Sequence, residues 1–436
     1  MAVGPAERAR FEIFAGARGM SRSVGIEALN IYGGGAYVDV RELCTHRHLD
    51  LHRFENLLMR EKTVALPYED PVSFAVNAAK PLVDALSESE RSHIEMVITC
   101  TESGIDFGKS LSTYVHHYLG LASNCRLFEI KQACYSGTAG LQMAVNFVLS
   151  GTSPGGKALV IATDISRFAL ADETAVQEWA YSEPSSGAGA VAMLISDVPY
   201  ILRLDVGAYG NHGFEVMDTC RPGPDTEAGD ADLSLMAYLD CVERAYKDYA
   251  RRVDADFRQS FDYLSFHTPF GGMVKGAHRH VMRKLCKATP AEIEADFSRR
   301  LSPSLTFGQR VGNTAGGSVF LGLAGLLQTA EMTQPCRVGL FSYGSGCCSE
   351  FFSGTITPGG QNRLRALGIG TGLDRRHRLS MDEYETLLRA EHVVRFGTRD
   401  AILDRTVVPA AWNGFAGRGR LVLDAVKGYH RSYSWS

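Results

Sequence analysis

Five short apolar runs constrain this chain more than any other feature. They are residues 96–100 (MVITC), 158–163 (ALVIAT), 189–195 (GAVAMLI), 263–266 (YLSF) and 337–342 (RVGLFS). A strand with one wet face alternates apolar and polar residues. Most of these runs do not alternate, so they read as strands covered on both sides. A sixth strand is predicted at 127–130. Between them lie stretches with helical periodicity, at 133–149, 233–252, 271–287 and 315–329. Strands and helices in alternation predict an α/β fold with helices on both faces of a sheet. Several runs stop at a polar or reactive group: Thr101-Glu102-Ser103 after the first, His267 after the fourth, Gly344-Ser345-Gly346 after the last. Ligand sites in such folds gather at the carboxyl ends of strands.

The two parts of the chain follow the same logic. The organisation expected is a first half over 24–200 and a second over 201–436, with the segment after 360 completing the second half's sheet. With 436 residues, 45% of them apolar, such a pair can share a large core without disulfides or a structural metal. A net charge of −4 gives no bulk support to nucleic-acid binding. No stretch reaches the roughly 18 apolar residues of a membrane span. Residues 1–23 lack the apolar run of a secretory signal and read as a short mobile extension on a cytoplasmic protein. The ten cysteines include no CxxC pair and no set with zinc spacing, so no metal is expected and a reducing compartment suits them. Adjacent Cys347 and Cys348 read as small packing residues rather than a redox pair.

One cysteine stands in a different setting. In FEIKQACYSGTAG, residues 128–140, a strand leads through a turn to Cys134 in the first turn of a Gly- and Ala-rich helix. Unpaired N–H groups and the positive end of the helix dipole favour a thiolate there and lower its pKa. The same groups bind an oxyanion on an attached acyl carbonyl. The competing reading is a buried small side chain.

Acyl chemistry on a thiol also needs a proton carrier and groups that orient a carbonyl. Glu102, at a buried strand end, has the setting for a raised pKa and proton shuttling; the alternative is a solvated loop acid. His267 can donate a hydrogen bond to a substrate carbonyl, or be a satisfied core histidine. Asn313, followed closely by Ser318, can orient a carbonyl or cap the next helix, and both readings stand. The turn Gly344-Ser345-Gly346 offers a second oxyanion N–H. The Gly/Ser stretch at 185–189 can line the same cleft. Lys275, Arg279 and Arg283 share one helix face. They suit the phosphate of a pantetheine arm, an acidic carrier protein, or plain solvent.

Taken together these motifs resemble the HMG-CoA synthase family of the thiolase superfamily. The matching stretches are FEIKQACYSGTAGLQMA, TCTESGIDFGKS, SSGAGAVAMLIS, SFHTPFGGMVKGAHRHVMRKL, GNTAGGSVFLGL and FSYGSG. They occur in the family's order from about residue 24 to 355. Within the family, VGIEALNIYGGGAYVDVREL, RFENLLMREKTVALPYEDPVSFAVNAAKP and VMDTCRPGPDTEAGDADLSLMAYLDC are similar to the branch that installs β-alkyl groups on polyketides.

The resemblance implies a five-layered αβαβα thiolase-like core with two similar halves, and a homodimer. It implies Cys134 as the acyl-bearing nucleophile, Glu102 as general acid/base and His267 as the group on the acceptor's carbonyl. Asn313, Ser318, Gly344, Ser345, Gly346 and Lys275 would serve the substrates. No cofactor is implied. The acyl groups would ride on phosphopantetheine arms of donor and acceptor acyl carrier proteins, or on coenzyme A. The sequence departs from the family at Ala315, where mevalonate-type members carry Tyr, which predicts a wider cleft, and at Cys347-Cys348. Three rival readings remain: a mevalonate-type enzyme using coenzyme A thioesters, a ketoacyl synthase III-type enzyme with a Cys–His–Asn triad, and a non-catalytic carrier-binding partner.

Overall fold

The structure, a computed structural model, describes residues 23–166, 182–223, 226–389, 392 and 394–436. The expected N-terminal extension lies, but for its last residue, outside them. In chain order the main elements begin with β1 (Gly25–Tyr32), α1 (Pro71–Asp84), β2 (Ile94–Cys100), β3 (Arg126–Ile130) and α2 (Ser136–Ser150). β4 (Lys157–Ile165), β5 (Ala188–Ser196), β6 (Leu202–Gly213), α3 (Ala231–Val253) and β7 (Tyr263–Phe266) follow. α4 (Gly271–Cys286), α5 (Ser318–Thr329), β8 (Cys336–Gly344) and β9 (Cys348–Ile356) complete the set.

The strands hydrogen-bond in the order β7–β8–β9–β6–β1–β5–β4–β2–β3. That order contains a repeat. In the first half β1 pairs antiparallel with β5, β5 antiparallel with β4, and β4 parallel with β2. In the second, β6 pairs antiparallel with β9, β9 antiparallel with β8, and β8 parallel with β7. The two first strands meet through Gly25–Arg203 and Ile26–Leu202. A helix precedes the penultimate strand in each half: α2 before β4, α5 before β8.

Burial assigns the layers. Ile98, Val160 and Val191 of the first half-sheet share one core with Val338, Leu340 and Phe352 of the second, and with Leu141 of α2 and Phe320 of α5. The two central helices are thus sandwiched between half-sheets. The opposite face of the first half-sheet (Val97, Leu159, Ala190) packs on α1. That of the second (Leu264, Phe341, Phe351) packs on α3 and α4. The result is helix, sheet, helix, sheet, helix. It explains the uninterrupted apolar runs: every residue of β5 is buried, because helices cover both faces. The start of α2 and the short turn that leads into α5 (Ala315–Gly317) approach closely at two glycines. A Cβ on Gly137 would lie 2.2 Å from the Gly316 carbonyl oxygen, so only glycine fits.

The last segment departs from the expectation. Among the described residues, none after 360 joins the second half's sheet. His377–Arg378 pairs with the short strand Ala36–Asp39 of the first half. The hairpin Leu421–Lys427/His430–Trp435 packs on α1. Asn77 of α1 brackets Leu421, donating to its carbonyl at 3.1 Å and accepting from its N–H at 2.8 Å. Arg431 reaches the fully buried Asp70 at 2.8 Å. The span 201–436 is therefore not one unit: its final part is a cap on the first half. Without long apolar runs the segment shows too little pattern to name its partner.

Candidate active site

A cavity of about 940 Å³ opens where the carboxyl ends of the two half-sheets converge on the starts of the central helices. Cys134, Glu102, His267, Asn313 and Ser345 all line it. Residues more than 200 positions apart thus share one cleft.

Cys134 enters it from the turn between β3 and α2. Ala133 holds a positive φ of 42°, and Tyr135 N–H closes the turn on the Gln132 carbonyl at 3.0 Å. The helix starts at Ser136 with Tyr135 as its cap. Cys134 therefore stands just before the helix, not in its first turn. The expected lowering of its pKa is not found either. Burial pushes the thiol well above its ordinary range, and the neighbouring carboxylates Glu102 and Asp164 push it further. Desolvation and two acids outweigh a half-charge at a helix end. The resting group is a thiol, and its Sγ lies 3.6 Å from Glu102 Oε1. Thiol and carboxylate are already in contact, a geometry in which a proton can pass from Cys134 to Glu102.

Glu102 is fixed at the end of β2. Its backbone N–H donates to Asp164 Oδ1 at 2.9 Å. Arg221, from the hairpin strand Thr219–Gly223, donates to the Glu102 carbonyl at 3.3 Å and keeps Nε 3.8 Å from Oε2. Asp164 and Arg221 were not singled out by the sequence reading. Asp164 directly follows the apolar run 158–163, so the strand-end rule that finds Glu102 applies equally to it. Its Oδ1 accepts from Thr101, Glu102 and Ser103. Its Oδ2 is buried with no partner among the described residues. Burial and the nearby Glu102 carboxylate push its pKa up. Arg221 sits on a hairpin with no local chemical motif, and only the fold brings it here.

His267 follows β7 and is 1% exposed. Its backbone N–H donates to the Phe341 carbonyl at 2.7 Å, and its backbone carbonyl accepts from the Tyr238 hydroxyl at 2.6 Å. Burial alone pulls the imidazole pKa down to about 3, so the ring is neutral at physiological pH. A neutral imidazole carries one N–H, enough to polarise a carbonyl. Its Nδ1 has no partner among the described residues.

The Asn313 side chain is held from its own turn. Its Oδ1 accepts from Ala315 N–H at 3.0 Å and from Ser318 Oγ at 2.9 Å. That oxygen closes a local turn and caps neither of the helices that follow, which leaves the NH₂ for the cleft. The Asn313 backbone is tied to the Gly/Ser stretch, donating to Ser185 and accepting from Gly187. Ala315 also lines the cavity.

Three expected contacts differ. Ser318 is 2% exposed and stands behind Asn313, holding its carboxamide. Lys275 lies outside the cavity wall and pairs with Glu294 at 2.9 Å, because the helix turns that residue outward. In the glycine turn only Ser345 borders the cavity. Gly346 N–H is taken by Asp218 at 2.8 Å, so it is no oxyanion donor. Gly344 serves close packing: a Cβ there would lie 2.6 Å from Tyr135 N. Among the described residues no cluster of His, Cys, Asp and Glu is placed to hold a metal ion, and no helix is long and apolar enough to cross a membrane.

Comparison with known proteins agrees with this geometry. Residues 20–199 match the family model of the hydroxymethylglutaryl-coenzyme A synthase N terminal, and residues 277–400 that of its C terminal. The polyketide biosynthesis 3-hydroxy-3-methylglutaryl-ACP synthase PksG of Bacillus subtilis is 59% identical over 95% of this chain and 99% of its own length. Hydroxymethylglutaryl-CoA synthase of Enterococcus faecalis is 35% identical over 88% of this chain and 94% of its own. The curacin biosynthetic pathway HMG synthase, solved in complex with acetyl donor-ACP, superposes with a TM-score of 0.92. It shares 60% identity over 95% of this chain and all of that one. With the family's two domains spanning both halves of the cleft, the chain belongs to the hydroxymethylglutaryl-CoA synthase family.

Proposed function

We propose that this enzyme acts in polyketide β-branching, adding a Cys134-bound acetyl enolate to the β-keto group of a carrier-bound chain. The product is a 3-hydroxy-3-methylglutaryl-type thioester. The observation that carries the reading is the Cys134–Glu102 pair, 3.6 Å apart, in one cleft with a neutral His267 and the Asn313 amide.

Cys134 attacks the donor thioester while Glu102 takes the thiol proton, and the departing pantetheine thiolate recovers it from Glu102. Glu102 then removes a proton from the acetyl methyl group. The enolate attacks the β-keto carbon, whose oxygen is polarised by His267. Glu102 returns its proton to the new alkoxide, and water releases the product from Cys134. General acid–base catalysis of this kind is worth about 10²–10⁴ in rate. Asn313 holds the acyl carbonyl through its free NH₂, and Arg221 and Asp164 keep Glu102 in place.

The carriers are proposed from the relatives: PksG is named an ACP synthase, and the curacin enzyme was solved with donor-ACP. Donor and acceptor would each present their acyl group on a phosphopantetheine arm, with no further cofactor. A homodimer is proposed on β3, the first half's edge strand of the sheet. Its Leu127, Phe128 and Ile130 remain half-buried, and an uncovered edge of this kind invites a second strand. A cytoplasmic location suits ten free cysteines. The test is acetyl transfer measured on the protein itself: wild type gains one acetyl group on Cys134, and Cys134→Ala gains none. Loading without Cys134 would contradict the reading. The Cys134–Glu102 contact disfavours a ketoacyl synthase III-type triad, which would retain activity in Glu102→Gln.

A further inference from the structure

Behind the nucleophile, on the second half's β9, lies a buried carboxyl that the mechanism above does not use. Glu350 is 3% exposed. Its Oε2 accepts from the Tyr135 hydroxyl at 2.7 Å, and its Oε1 from Gln142 Nε2 at 2.5 Å. Tyr135 follows Cys134 and caps α2 without a side-chain cap of its own. Gln142 lies two turns further along the same helix, on the same face. One side chain of the second half therefore grips the first half's nucleophile helix at two points. A second contact runs beside it. Gly344, which pairs with Cys348 on β9, leaves no room for a Cβ against Tyr135 N and Gln132 O, at 2.6 and 2.7 Å. The end of β8 thus rests on the turn that presents Cys134.

We propose that Glu350 is a positioning residue for acyl transfer: its carboxylate holds the Cys134 turn against the end of β8 through Tyr135 and Gln142. A buried carboxylate is costly when no cation pairs with it, and none contributes here. A neutral residue of similar size would stabilise the fold more cheaply. The ionised form offers what a neutral one does not, two oxygens that each accept a hydrogen bond.

The same placement makes the grip depend on pH. Burial pushes the Glu350 carboxyl up to about 7, and the bonds from Tyr135 and Gln142 hold it from going higher. The titratable groups facing it are Tyr135, from the nucleophile turn, and Cys348, on its own strand. Both are pushed above their ordinary ranges, so both stay neutral near pH 7. Its cross-strand partners are Asn211 and Ser342, which carry no charge. Below about pH 7 the carboxyl becomes a donor at one oxygen and the double grip is lost. Above it the turn is held.

The inference rests on Cys134 being the acylated residue. Its test is single-turnover acetylation followed by intact-protein mass spectrometry, from about pH 6 to 9, for wild type, Glu350→Gln, Tyr135→Phe and the double variant. Glu350→Gln keeps one acceptor oxygen and loses the other. The expected result is a roughly tenfold slower loading at high pH, with half-saturating donor concentration unchanged, and loss of the inflection near pH 7. Tyr135→Phe, the milder change, should slow loading similarly, and the double variant no more than either alone. In parallel, alkylation of Cys134 by iodoacetamide should show the same inflection in wild type and lack it in Glu350→Gln. That second readout needs no acyl donor. If wild type fails to load acetate, the function is wrong, while the alkylation profile still decides the role of Glu350. Profiles for Glu350→Gln that match wild type in both assays, with only thermal stability changed, would overturn the proposal.

Discussion

Three buried ionisable groups around Cys134 have pKa values displaced in ways that set the chemistry. The thiol is pushed up, by burial first and then by the Glu102 and Asp164 carboxylates. Replacing Glu102 with Ala removes the base but also a carboxylate that opposes the thiolate. Acetyl loading should therefore persist in that variant, while condensation falls by about 10³-fold or more; quenched-flow analysis of loading and of product checks the two separately. His267 has the opposite kind of shift. Its folded pKa, about 3, lies below the ordinary 6.5. Its contribution to stability is therefore present above about pH 6.5 and lost as pH falls toward 3. Between about pH 7 and pH 5 that amounts to about 2 kcal/mol at 1.36 kcal/mol per unit. His267→Asn should flatten this part of the stability profile, as read by urea unfolding at the two pH values. Glu350 runs the other way. Its folded pKa is raised, so its contribution is full below about pH 4.5 and is lost as pH rises through about 7. The sequence made Cys134, Glu102 and His267 visible, because each sits beside a strand or helix with a strong pattern. It did not show the sign of the Cys134 shift, which depends on how many acids the fold packs around the thiol.

At the scale of elements, the close approaches are the most sensitive points. Gly137 meets the Gly316 carbonyl oxygen at a distance no Cβ tolerates. Gly137→Ala should push α2 away from the turn that leads into α5 and destabilise the protein by about 2 kcal/mol or more, with slower acetyl loading because Cys134 precedes that helix. Thermal unfolding and loading rate measure both effects. The C-terminal hairpin offers a separate test. Arg431 and Asp70 form a buried pair, 7% and 0% exposed. Arg431→Ala leaves Asp70 buried with Tyr433 as its remaining side-chain donor from the hairpin. Breaking such a pair costs about 3 kcal/mol or more, and urea unfolding should show it. This attachment was illegible in the sequence. The strands of the main sheet announce themselves as uninterrupted apolar runs. The hairpin is short and its apolar run is broken by Asp424, and an Asp–Arg contact across 361 residues leaves no local trace. Lys275 and Ser318 were misplaced for a similar reason: periodicity gives the face of a helix, but not which neighbour that face meets.

For the whole molecule, the repeat of strand order is what creates the site. Each half brings strand ends and a central helix to the same level, so the first half supplies Cys134 and Glu102 while the second supplies His267 and Asn313. The sequence carried this duplication only as a shared rhythm of strands and helices, since the residues themselves differ between halves. The family resemblance and the fold agree. The most direct test of the account is mass spectrometry of the intact enzyme after mixing with an acetylated acyl carrier protein or, separately, with acetyl-CoA. The account predicts a gain of one acetyl group, lost in Cys134→Ala, with loading from the carrier far faster than from coenzyme A. Equal loading from both would move the protein to the coenzyme A-dependent branch of the family, and no loading from either would contradict the catalytic role of Cys134.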